Sequence, residues 1–355
     1  MRNGLLKFFF ILLTVPAPKA GADGANLAPP PEAMSNGVPV ASMKTLNQIE
    51  PRTLILSLPF KVDAPGSYYL VKPLLCTSAV NGVEIDVGEV KIDLNGFSLA
   101  GNTNSGSGIK VTAPCENVTI RNGIIRGWGQ FGVMATNAAH LQFLDVNVHG
   151  NGYGGLYGGK NALVRDCTVY NNGFSAPTND PPYDDGIMVG PYSSIINCKV
   201  YANKGAGIHT FSHSRITGCT ATESQFADGI HTEDYCTVRD CTVARNKCVG
   251  IKAGSMCRVS GNTCGENGTD PAATNGAGIL IIGYNSLIEN NNVCGNRYGI
   301  MNISGGADGS LIIRNIASNN TNDFYFAAGD HHGMVLTPPP GHITNNNPWA
   351  NFSVD

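Results

Sequence analysis

Six side chains in the middle of the chain are spaced as if to meet. Met188, His209, His231 and Lys252 each follow a Gly-Ile pair, at Gly186-Ile187, Gly207-Ile208, Gly229-Ile230 and Gly250-Ile251. Asp185 and Asp228 each precede such a pair, where Ala206 and Val249 stand in the other two. The glycines are 21, 22 and 21 residues apart, at 186, 207, 229 and 250. If each step is one turn of a repeat with Ile pointing inward, the next residue points outward in every turn. The two His and the Lys then form one vertical file beside two carboxylates.

Two chemistries can use such a file. Asp185 and Asp228 are two turns apart, about 9.6 Å at about 4.8 Å per step. An inverting glycosidase sets its carboxyl pair roughly 6.5–9.5 Å apart to admit a water. One Asp would then be the acid and the other the base, with His209 and His231 tuning them and Lys252 holding an acidic sugar. The other chemistry is β-elimination, in which a base, Lys252 or His231, removes the proton beside a uronate carboxylate. Asp184, Asp185, Asp228 and Glu233 could there hold Ca²⁺, which takes oxygen ligands. Tyr183, Tyr192, Tyr235 and Tyr284 could stack on sugar rings, and Glu233 could also contact the substrate. Each residue alone has a plainer reading: Asp before Gly is an ordinary turn residue, stacked His can be a polar ladder, and Lys252 can be solvated surface.

The elements that must position these residues are read from the period. Gly-apolar landmarks fall at 108, 132, 155, 186, 207, 229, 250, 278 and 299. A spacing of 20–30 residues means a solenoid, in which each repeat buries its apolar side against its neighbours. One inward column runs Ile187, Ile208, Ile230, Ile251, Ile279, Ile300. A second runs Val164, Ile195, Ile216, Val238, Val259, Ile288, Leu311, and a third Val169, Val200, Ala221, Val243, Cys264, Val293, Ile316. Three residues past the third column stand Asn172, Asn203, Ser224, Asn246, Asn267, Asn296 and Asn319. Asparagine tolerates the left-handed backbone of a sharp corner and can bond to the next Asn in a stack.

Three short strands per coil of about 22 residues, with an asparagine ladder, resemble the all-β right-handed parallel β-helix of the pectin-lyase-like superfamily. The resemblance covers roughly residues 55–320 and implies a carbohydrate-active fold. The acidic, His and Lys residues on successive coils are similar to those of polygalacturonases, although Asn-Thr-Asp and Arg-Ile-Lys motifs are absent. Pectate-lyase-like folds supply the elimination alternative. The competing class is a non-catalytic carbohydrate-binding or cell-surface structural β-helix. Two steps are long, and their extra residues, 173–184 and 268–277, fall at one corner. They are expected to wall a trough over the file.

Composition bounds the rest. A net charge of −3 with 14% charged residues gives no reason to expect nucleic acid as partner. Residues 1–22 read as an export signal, with Arg2 and Lys7 before an apolar core at 8–15 and an Ala20-Gly21-Ala22 cleavage site. The core is too short to span a bilayer. A secreted, periplasmic or cell-surface monomer that meets polysaccharide is therefore expected. Residues 23–50 read as a disordered Pro/Ala-rich lead, 51–320 as the β-helix, and 321–355 as an irregular cap. Of eleven cysteines, Cys167, Cys198, Cys219 and Cys241 align as small buried residues. Cys236 and Cys257 align separately as the better disulfide candidates.

Overall fold

The computed structural model describes residues 34–35, 38–39, 52–175, 184–269, 276–304, 309–337 and 345–354. The export signal and most of the lead lie outside the described residues. The chain divides into two units, Met1–Pro51 and Arg52–Asp355. In the first, Met34–Ser35 pairs antiparallel with Val38–Pro39. The second is an all-β parallel solenoid of about 11 turns and about 23 residues per coil. No helix among the described residues is long and apolar enough to cross a membrane.

Each coil contributes three short strands, so the solenoid has three faces. The first face is a sheet of twelve parallel strands. In the central coil these strands are Ile187–Val189, Ser194–Ile196 and Lys199–Tyr201. Each presents its middle or flanking β-branched residue inward: Ile187, Ile195 and Val200 are fully buried. Such residues fit a pleated, buried surface, and stacking coils removes their apolar area from water at about 25 cal/mol per Å².

Three corner ladders hold the coils in register. Between the third and first faces, Asn151, Asn172 and Asn203 bond in succession, and after Ser224 the series resumes through Asn246, Asn267, Asn296 and Asn320. Each Asn Oδ1 accepts the backbone N–H of its counterpart one coil earlier. Between the second and third faces the same task passes from cysteine to asparagine: Cys198 N–H donates to Cys219 Sγ, and Cys241 N–H to Asn262 Oδ1, followed by Asn291, Asn315 and Asn351. Between the first and second faces, Ser193, Ser214, Cys236, Cys257, Ser286 and Ser310 form the third ladder. These buried bonds are worth about 0.5–1.5 kcal/mol each net, and an unmade one costs more. Cys236 and Cys257 are ladder thiols that are not joined by a disulfide.

Two sequence expectations shift. Beyond Asn302 the register slips by one residue. Ile288 pairs with Ile312, and Ile312 and Ala317 are fully buried, whereas Leu311 and Ile316 are 42% and 46% exposed. The ladder asparagine is therefore Asn320, not Asn319. Strand side chains alternate, so a slip of one exchanges inside for outside, and apolar type alone cannot choose between Leu311 and Ile312. The region expected to be an irregular cap also carries strand. Asn322–Tyr325 extends the first face, His331–His332 the second and Asn351–Ser353 the third.

Candidate functional site

The first face brings the expected file together. Met188 pairs with His209, His209 with His231, and His231 with Lys252. Ile208 and Ile230 are fully buried, so the two His point away from the core. The file continues through Leu280 and Met301 on one side and Tyr157 and Met134 on the other. Beyond Met134 it also carries charge, at Lys110, Glu84 and Lys61.

Asp185 is the buried anchor of the site. Its Oδ1 accepts the Ala206 N–H at 2.7 Å, and its Oδ2 lies 3.1 Å from His209 Nδ1. Its own N–H donates to the Tyr157 hydroxyl at 3.0 Å. Only 4% of the residue is exposed, and burial pushes its carboxyl up, against the opposing pull of His209 and Ala206. The turn opposite must be Gly205: a Cβ there would sit 2.6 Å from Asp185 Oδ1. Asp184 beside it is half-buried and also raised by burial, with Lys204 opposing.

His209 and His231 stack with ring centroids 4.7 Å apart and planes 8° apart. Phe211 covers His209 from its own strand at 5.3 Å. Nε2 of His209 is buried without a hydrogen-bond partner. The His231 side chain is the more open, at 26% against 14%. Burial first, then His209 and Lys252, push His231 down to about 3, so its ring is neutral near pH 7. Asp228 Oδ1 accepts the Val249 N–H at 3.0 Å, and its Oδ2 lies 3.9 Å from His231 Nδ1. Burial raises the Asp228 carboxyl, opposed by Val249 and Lys252.

Asp228, His231 and Lys252 lie on two adjacent coils and are partly exposed, as is His209, while Asp185 is buried behind them. This departs from a symmetric carboxyl pair. Both oxygens of Asp185 are already engaged and no face of it is open to a sugar. The four carboxylates expected around Ca²⁺ do not gather either. Among the described residues no group of three or more His, Cys, Asp or Glu could hold a metal ion. Asp185 and Asp228 are two coils apart with the Ala206 coil between them, and Glu233 is exposed just past the end of its strand.

The tyrosines divide. Tyr192 and Tyr235 are exposed, but His213 lies between them, stacked 4.9 Å from Tyr192 and 4.7 Å from Tyr235. The three share a corner column of left-handed backbone, at φ 62°, 61° and 59°. Their inner faces are therefore taken, and His213 was missed because it stands outside the Gly-Ile frame. Tyr284 is exposed and sits one residue before the equivalent corner position, Asn285. Tyr183 lies outside the described residues, as do 176–183 and 270–275 of the two insertions. On the other side of the file a cavity of about 480 Å³ opens, with Met188 and Phe211 in its wall.

The model of the family described as "Right handed beta helix region" matches residues 78–189 and 107–264. Among solved structures, an alginate lyase from Paenibacillus sp. str. FPU-7 is similar at TM-score 0.51 and 14% identity, covering 71% of this chain and 93% of that one. The Dettilon tailspike protein is similar at TM-score 0.51 and 12% identity, covering 85% of this chain and 61% of that one. The A-module of a mannuronan C-5 epimerase from Azotobacter vinelandii follows at TM-score 0.44 and 16% identity, covering 74% and 91%. At these identities the likeness is one of fold. No curated protein matches the chain.

Proposed function

We propose, from the premise that the chain belongs to the right-handed β-helix family, that it cleaves a uronate-containing polysaccharide by β-elimination on the first face. The observation that carries this reading is the partly exposed trio of Asp228, His231 and Lys252 backed by the Asp185–His209 pair. A neutral imidazole, a carboxyl raised by burial and a cation are the base, the acid and the electrophile that elimination needs. The alginate lyase of the same fold supports the class, since alginate is a uronate polymer, although fold alone does not fix chemistry.

In this reading Lys252 receives the sugar carboxylate and makes the adjacent C–H more acidic. His231 takes that proton. The electron pair forms a carbon–carbon double bond, and the glycosidic oxygen leaves with a proton from Asp228. The substrate also tunes the base. Lys252 is one of the charges that hold His231 down, so a carboxylate on Lys252 cancels that effect and raises the basicity of His231 when substrate is bound. Asp185 fixes His209, and His209 fixes the plane of His231 by stacking. No step calls on a metal, and calcium remains a proposal tested by adding a chelator.

The test is a screen of the purified protein on uronate polymers, read as both reducing ends and absorbance of unsaturated product. Elimination raises both together. Reducing ends without unsaturation mean hydrolysis, and neither signal with retained binding means a carbohydrate-binding module.

A further inference from the structure

The cavity beside the file has no role in the chemistry above, yet it is continuous with it. It spans the corners of four successive coils, about 14 Å at about 4.8 Å per step, and ends against the coil of His209. Its wall includes Met188, which is in the file, and Phe211, which stacks on His209. The remaining wall is small and apolar at Pro191, with Thr136, Asn137 and Lys160 as polar groups. Its volume is about 480 Å³ and it is open to solvent along one side, within the size range of small-ligand sites. No Asp or Glu lines it, and Lys160 is exposed with no ion pair among the described residues. Apolar walls suit the C–H faces of a pyranose, the hydroxyl and amide suit its edges, and the lone cation suits one carboxylate.

We infer that this cavity is an anion-selective subsite that holds a flanking, uncleaved uronate of the polymer whose cleaved linkage lies at His231, with Lys160 on its carboxylate. The inference rests on the proposed uronate substrate, and it adds a direction: the chain runs along the solenoid axis from the cavity toward Lys252. A sugar held by Lys160, whose coil is three steps or about 14 Å from that of His231, is joined to the cleaved linkage only when the oligomer is long enough to span that distance. Binding should therefore strengthen with length, and the gain should belong to Lys160.

The experiment is calorimetric titration of the full chain, in a His231→Ala background that stops turnover, with oligouronates of increasing length and neutral oligosaccharides as control. Affinity should rise about tenfold or more at the length that reaches the cavity. Lys160→Ala should abolish that rise and leave the shortest oligomers unchanged, with Lys160→Glu stronger in the same direction. Equal affinity of Lys160→Ala and its parent at every length would overturn the subsite, as would no binding of any oligouronate. A Lys160-dependent rise in a protein whose wild type forms no unsaturated product would sink the elimination reading and leave the subsite standing.

Discussion

Oδ2 of Asp185 lies 3.1 Å from Nδ1 of His209, and the carboxylate that makes this contact is almost wholly buried. A buried carboxylate is costly unless it is bonded, and here two polar neighbours meet it, the Ala206 N–H and His209, while the Asp185 backbone N–H donates to the Tyr157 hydroxyl. The burial raises the Asp185 pKa. The sign is that of a group whose folded pKa lies above its unfolded value: its contribution is most favourable at low pH and declines as pH rises past the unfolded value of about 3.9. Asp185→Asn keeps the acceptor for Ala206 and removes the charge. Thermal melts at pH 7 should show equal or higher stability, while kcat falls about ten- to a hundredfold because His209 loses its partner. A large loss of stability with unchanged kcat would assign Asp185 to the fold alone.

His231 has the opposite linkage. Its folded pKa is about 3, below the unfolded value of 6.5, so the unfolded chain binds the extra proton between these values. The stability that depends on a neutral His231 is complete above pH 6.5 and drains away as pH falls toward 3, by at most a few kcal/mol. Urea midpoints measured from pH 7 to pH 4 should fall less steeply in His231→Gln than in the wild type. Parallel curves would show that the partial burial of His231 does not hold its ring neutral.

Ser224 interrupts the asparagine ladder, and its Oγ is buried without a hydrogen-bond partner. On the adjoining third face Ala221 stands where neighbouring coils have Val200 and Val243. Ser224→Asn restores the ladder side chain with its donor and acceptor, and should stabilise the protein by about 1 kcal/mol in urea denaturation. Asn246→Ala should destabilise it by about 2–4 kcal/mol, since Asn246 links Ser224, Ala221 and Asn267. Unchanged midpoints in both variants would deny the ladder its energetic role.

Four of the corner thiols, Cys198, Cys219, Cys241 and Cys257, should be inert. Cys219 is buried, and the neighbouring Cys198 thiol together with burial pushes it up to about 12. Cys198, Cys241 and Cys257 are raised as well. Thiolate is the reactive form, so a thiol reagent at pH 8 should reach these groups only after denaturant is added. Reductant should leave the melting temperature unmoved; a fall would reveal a disulfide.

The sequence showed much of this because a solenoid writes its geometry in one dimension. The Gly-Ile period alone placed Met188, His209, His231 and Lys252 in one file, and the pairing of those strands agrees. What it hid depends on contacts across coils. Asp185 is covered by Tyr157 from the preceding coil, which no local spacing reveals. The cysteine column is one ladder with the later asparagines, and a reading by residue type separates them. Tyr192 and Tyr235 look like free aromatic platforms until His213 is found between them. The exchange of Leu311 for Ile312 follows from a loop length that apolar spacing does not resolve.

The central claim is that a proton leaves the sugar for His231. It is tested most directly by following unsaturated-product absorbance on a uronate polymer for wild type and His231→Ala, with the fold of both checked by thermal melting. The account predicts steady accumulation with the wild type and a rate about 10²–10⁴-fold lower in the variant at unchanged fold. Equal rates in the two proteins would contradict it.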